Sequence, residues 1–265
     1  MTTQRPPLPL LAWSVVISVL VTVASVSGLI LPWVYAQETA NWALQAQGQD
    51  VGNLLATVAL MASAVRFRAG SFRAGLLWLG TLLYLIYAYI VYAMAVHLNA
   101  LFLVYVAVLG LSAYAVAFTA PTLLARDTRF PDDGRRTLAA WTMIGTGALF
   151  ALLWLSELVP ALLTGQVPAS LTEAGLWVNP IHVIDLAVVL PGFILAGVAA
   201  LQGRRHGLFW LAPWLAFSVL MGASIVAAML LIAAAGYPGT LPPTVMVSIV
   251  VTASAIALWR YLRAI

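Results

Sequence analysis

The 265-residue chain contains no cysteine and no lysine. The first absence excludes disulfides, thiol nucleophiles, cysteine-ligated zinc or iron–sulfur centres and covalently attached c-type haem. The second excludes Schiff-base chemistry, which needs a lysine amine. Charge is also scarce, at 8% of residues, where a soluble domain carries about 25%. So few charges cannot cover a water-facing surface, and 63% hydrophobic residues exclude disorder. What remains is an all-α polytopic membrane protein, a single integral membrane domain over 1–265.

A helix needs about 20 mainly apolar residues to cross the hydrocarbon core. Eight stretches meet that need, at about 10–34, 51–65, 74–96, 100–120, 138–159, 181–201, 208–235 and 245–262. The second is short and is expected to begin among the polar residues before Asp50. The first resembles a signal peptide, with Arg5 ahead of it and Val34-Tyr35-Ala36 as a cleavage-like end. Its apolar run exceeds the ~7–15 residues of a signal sequence, so a retained span is expected.

The few charges are sorted by position. All twelve basic residues are arginines, and every one falls between spans two and three, four and five, or six and seven, or at a terminus. Asp127, Asp132 and Asp133 share that side; Glu38, Asp50, Glu157, Glu173 and Asp185 lie opposite. The positive-inside rule then makes the arginine side cytoplasmic, with both termini there, as an eight-helix bundle requires. The expected location is a bacterial cytoplasmic (inner) membrane. Tryptophans should form belts, Trp33, Trp42, Trp154 and Trp177 outside and Trp78, Trp141, Trp210, Trp214 and Trp259 inside. A pI of about 9.7 therefore reports topology and contact with membrane lipids, and no nucleic-acid partner is expected.

Span three opens Arg73-Ala-Gly-Leu-Leu-Trp-Leu-Gly80 and span seven Arg205-His-Gly-Leu-Phe-Trp-Leu-Ala212, identical at five of eight positions. A four-span offset preserves direction, so the halves 1–137 and 138–265 would be parallel 4+4 repeats about an axis along the membrane normal. Common helix-start residues could produce the same match by chance.

Polar residues inside a span are costly, by ~2.5–3.5 kcal/mol for a charge, and tend to face a cavity. Here they gather toward the outer side. Glu38, Trp42, Gln45 and Gln49 recur at helical spacing, which predicts an outer cap segment at 35–50 lying over the bundle. Gln49, Asp50 and Asn53 would then line the mouth of span two. Span three carries a stripe of Tyr84, Tyr87, Val91 and Met94, with Tyr89 and Tyr92 beside it, and ends at His97. Such stripes serve packing or line a ligand, and His97 could simply cap a helix end. Glu157 lies about one turn inside span five. Asn179 and Pro180 mark the start of span six as N-cap and first residue. His182 and Asp185 follow at i and i+3, so the spacing predicts a paired acid–base couple on one face.

Three functional readings follow. The first is an outward-facing polar pocket binding a metal or a small polar or lipid-derived ligand from the outer side. In it His182, Asp185 and Glu157 are candidate catalytic residues for a reaction at the outer leaflet. Glu38, Trp42, Gln45, Gln49, Asp50, Asn53, Tyr92 and Asn179 would bind the ligand, and His97, His182 and Asp185 would be the ligands of a divalent metal. The second is a proton-coupled secondary transporter built from the two repeats. The third is a redox protein with a b-type haem between His97 and His182, for which a second, inner haem site is lacking.

Overall fold

The computed structural model describes residues 9–265, which leaves Arg5 outside the described residues, and it is helical from end to end. The elements are α1 (Leu10–Ile30), a 3-10 turn (Pro32–Tyr35), α2 (Ala40–Arg68), α3 (Phe72–Ala95), α4 (Phe102–Leu124) and α5 (Gly134–Thr164). Then come α6 (Ala169–Ala174), α7 (Pro180–Ile184), a π-helical turn (Asp185–Val189), α8 (Leu190–Leu201), α9 (Arg205–Ala234) and α10 (Leu241–Arg263). Helices α7 and α8 with the turn between them form one span, Pro180–Leu201, so eight helices are long and apolar enough to cross a membrane.

Local chemistry explains where the boundaries depart from expectation. Helix α1 stops at Ile30 instead of continuing to 34, because Pro32 cannot extend an α-helical ladder. Helix α2 begins far earlier than 51. Thr39 caps it by accepting the Trp42 amide at 3.2 Å, and no proline interrupts residues 40–50. Residues 40–50 are therefore the first turns of a spanning helix and not a separate cap. The cover of that end is instead the 3-10 turn and the short α6, which is tied down where the Thr39 hydroxyl donates to the Glu173 carbonyl at 2.7 Å. Helix α5 runs on to Thr164 and ends at Gly165, whose φ of 67° is the left-handed C-terminal conformation that glycine adopts freely.

In the sixth span the Leu190 amide reaches back to the Asp185 carbonyl, one residue beyond the α-helical partner. Pro191, next in line, has no amide to donate, so the ladder resumes without a competing bond. The wide turn begins at Asp185 and runs to Val189.

Helix α3 is the hub. Of its apolar window 72% is buried, against 17% for α10. It contacts α2, α4 and α9, and α2 and α9 also pack on each other. Large apolar side chains face outward where lipid would lie, among them Leu103, Leu152, Leu162 and Leu163. Apolar burial gains little in a bilayer, so close backbone approach must hold such a bundle. The glycines supply it. A Cβ at Gly48 would run into the Ala228 backbone, and one at Gly52 into Ser224 and the Tyr84 hydroxyl, so α2 and α9 cross nearly in backbone contact.

Within each half, consecutive spans pack on one another and the first packs on the fourth: α1 to α4 form one ring, and α5, the sixth span, α9 and α10 the other. The arginine end is drawn together by Arg205, whose guanidinium donates to the carbonyls of Leu124, Arg126 and Thr128 and lies over the Phe130 ring. Two expected belt residues are interior. Trp78 is fully buried with its indole N–H on Ser14 Oγ at 2.8 Å, and Trp42 donates to the Ala95 carbonyl at 2.6 Å. Each packs inward because its N–H finds a partner inside the bundle.

Candidate functional site

The end opposite the arginines holds two buried carboxylates on either side of α3. Asp50, on the second turn-pair of α2, is 1% exposed. The Tyr35 hydroxyl donates to its Oδ2 at 2.7 Å and the Tyr92 hydroxyl to its Oδ1 at 2.8 Å. Burial, and then the charge of Asp50, hold the Tyr35 phenol well above its ordinary pKa, so it stays a donor. Gly28 leaves the room: a Cβ there would strike both the Asp50 carboxylate and the Tyr35 hydroxyl. The network continues through Asn53, which donates to Ser25 Oγ at 3.2 Å and accepts from the Tyr84 hydroxyl at 3.1 Å. Gln49 donates to that same hydroxyl at 2.5 Å and accepts from Ser224 at 3.3 Å. One polar chain thus ties α1, α2, α3 and α9 together.

Asp185 is the second carboxylate, 8% exposed. The Trp154 indole N–H donates to its Oδ2 at 2.8 Å, and the Tyr87 hydroxyl faces it from α3. The expected His182–Asp185 couple does not form. Asp185 is bound to Trp154, while His182 Nε2 lies 3.9 Å from Glu157 Oε2. The Trp154 ring stands 4.7 Å from the His182 ring, so the indole lies between the two groups. Glu157 also accepts from the Ser170 hydroxyl, which anchors α6. Asn179 is the cap it was expected to be, its Oδ1 accepting the Ile181 amide at 2.9 Å.

Between these centres lies a cavity of about 390 Å³. Trp42, Gln45 and Gln49 of α2 and Tyr87 and Tyr92 of α3 form one wall, and Thr146, Phe150 and Trp154 of α5 another. Asp185 and Phe193 close it from the sixth span, Phe217, Ser218 and Ser224 from α9, and Met246 and Val250 from α10. It reaches from the third of α5 and α9 farthest from the arginines to their middle. The lining is mainly apolar, and Asp185 is its one acidic or basic residue.

Of the residues singled out from sequence, Trp42, Gln45, Gln49, Tyr92 and Asp185 share this cavity, with Asp50 and Asn53 bonded directly behind it. Asn179 and His182 face a separate, shallower depression beside the end of α5. Glu38 and His97 are elsewhere. The Glu38 carboxylate accepts the His97 amide at 2.7 Å and sits 3.0 Å from its ring Nδ1, a clasp over the end of α3. Among the described residues no group of three His, Asp or Glu side chains converges to hold a metal ion. The expected His97, His182 and Asp185 ligand set is therefore not assembled, since the two histidines are each turned to a glutamate. Sequence reading missed Tyr35, Trp154 and Ser224. Trp154 had been read only as a belt residue, and its place one turn before Glu157 was the available signal.

The fold defines a class: the chain is a multi-pass helical membrane protein. No family model, curated protein or solved structure matches it.

Proposed function

We propose that the protein binds, in its outer half, a small molecule that is mostly apolar and carries one polar group, taken from the outer leaflet or the outer solution. The observation that carries this reading is the cavity of about 390 Å³, within the ~300–1,000 Å³ of ordinary ligand sites. Its make-up follows the usual pattern of such sites, an apolar and aromatic lining with a few placed polar groups: Gln45, Gln49, Ser218, Ser224 and Asp185. Packing alone does not account for a carboxylate on such a wall, because its burial is costly unless something uses it. On this reading the arginine end faces the cytoplasm of a bacterial inner membrane. The two four-helix rings, with the Arg73 and Arg205 helix starts, support parallel repeats whose junction frames the cavity.

The test uses purified protein in detergent and a nitroxide-bearing fatty alcohol as quencher of tryptophan fluorescence. Trp42 and Trp154 line the cavity, so quenching should saturate, and its amplitude should fall in Trp154→Phe. Filling the cavity with Met246→Phe and Val250→Phe together should weaken binding at least about tenfold, a loss of ~1.4 kcal/mol. Non-saturating quenching, equal in the filled variant, would overturn the reading.

A further inference from the structure

The charge balance around the cavity identifies the polar group of its ligand. We infer that the cavity takes an organic cation: an ammonium group, most favourably a quaternary one, attached to an apolar body. This rests on the cavity being a ligand site, as proposed above.

Three observations converge. Asp185 carries the only formal charge on the wall, and its partners, the Trp154 indole and the Tyr87 hydroxyl, are neutral. No arginine reaches it, because every arginine of the described residues lies at the other end of the helices. The neighbouring His182 does not balance it. That imidazole is turned to Glu157, so the group holds two carboxylates and at most one cation. The helix N-terminus at Pro180 gives little help, since its field fades within the first turn and Asp185 lies beyond it. The site is thus short of one positive charge.

The walls supply the rest. Trp154 and Tyr87 stand at Asp185 itself, and Trp42, Tyr92, Phe193 and Phe217 add aromatic rings to the walls of the same cavity. Ring faces attract cations, and the attraction grows when water is excluded, which is how aromatic cages hold quaternary ammonium groups. A quaternary ammonium has no N–H to donate, so it suits a wall whose acceptors are few. An anionic ligand would meet Asp185 without a cation to offset it. A phosphate or carboxylate headgroup is accordingly the wrong sign for this site.

Two probes of one shape separate this inference from the reading beneath it. They are a phenylalkyl-trimethylammonium ion and its tert-butyl isostere, in which carbon replaces nitrogen, both titrated by tryptophan fluorescence against protein in a neutral detergent. The cation should bind at least about tenfold tighter, the order expected of a desolvated cation–π contact. Asp185→Asn should lower that preference, leaving the part the aromatic rings supply, while keeping the isostere's affinity in place. Glu173→Gln, at an exposed outer carboxylate, should leave both affinities unchanged and so exclude surface attraction. Equal, saturable binding of the two probes to the wild-type protein would overturn the cation inference and leave the cavity reading standing. If neither probe binds saturably, both fall. The wild-type comparison decides the matter even where Asp185→Asn fails to fold.

Discussion

At the residue scale, what distinguishes the chain is where it tolerates buried charge. Asp50 and Asp185 are both buried carboxylates, yet they are dressed differently. Asp50 is closed off by Tyr35 and Tyr92 and by Gly28 beneath it, so it works as a tie between the 3-10 turn, α2 and α3. Asp185 is left facing a cavity. Tyr35→Phe tests the first role. It strips one donor from a buried carboxylate, a loss of about 1–3 kcal/mol, and should lower the thermal midpoint measured in detergent. The variant also carries a pH signature. A phenol whose folded pKa lies above the unfolded ~10 keeps its proton when the unfolded chain has lost it, so stability falls as pH rises past about 10. The substitution should flatten that alkaline decline while lowering stability at pH 7. An unchanged midpoint at pH 7 would show that Asp50 does not need the bond. Of these residues, Asp50, Asn53, Tyr92 and Asp185 were legible as costly polar groups in apolar surroundings. Tyr35 was not, because a tyrosine just past a helix end reads as an ordinary interface residue until the fold brings Asp50 against it.

At the scale of elements, spans were legible and their meetings were not. Apolar runs of about 20 residues announce membrane helices whatever they pack against. The partner of each run depends on small residues whose role is visible only across an interface. Gly48 and Gly52 are the clearest case: four residues apart on α2, they admit Ala228 and Ser224 of α9. Gly48→Ala and Gly52→Ala should each loosen the α2–α9 crossing and lower the thermal midpoint. Gly110→Ala in α4, where a Cβ would meet nothing within 4 Å, should leave it unchanged or slightly higher, since alanine is the better helix former. Equal effects at all three positions would mean that helix propensity, not contact, dominates. The π-helical turn at 185–189 was equally hidden. An i, i+3 spacing puts His182 and Asp185 on one α-helical turn, but it does not show that neighbouring elements offer each a separate partner, Glu157 for His182 and Trp154 for Asp185.

For the whole molecule, the distribution of charge separates an arginine end from the end that holds the cavity. The arginines of α2, α3, α5, α9 and α10 and of the α4–α5 and α8–α9 connections collect at one end, and the cavity lies toward the other. If cytoplasmic ends carry the arginines, as insertion generally requires, the cavity samples the outer leaflet and the external medium. The absence of cysteine makes this directly testable, because any introduced thiol is the only one in the chain. Thr172→Cys, exposed on α6 over the cavity end, and Asp132→Cys, exposed in the α4–α5 connection, mark the two faces. A membrane-impermeant maleimide applied to intact bacterial cells producing the protein should label the first and spare the second until the membrane is permeabilised. Neither position lies among the residues that line the cavity or bind Asp50, so labelling reports side and not site. The reverse pattern would place the cavity on the cytoplasmic side. Its ligand would then come from the cell interior, and a cation drawn to Asp185 would be a cytoplasmic one.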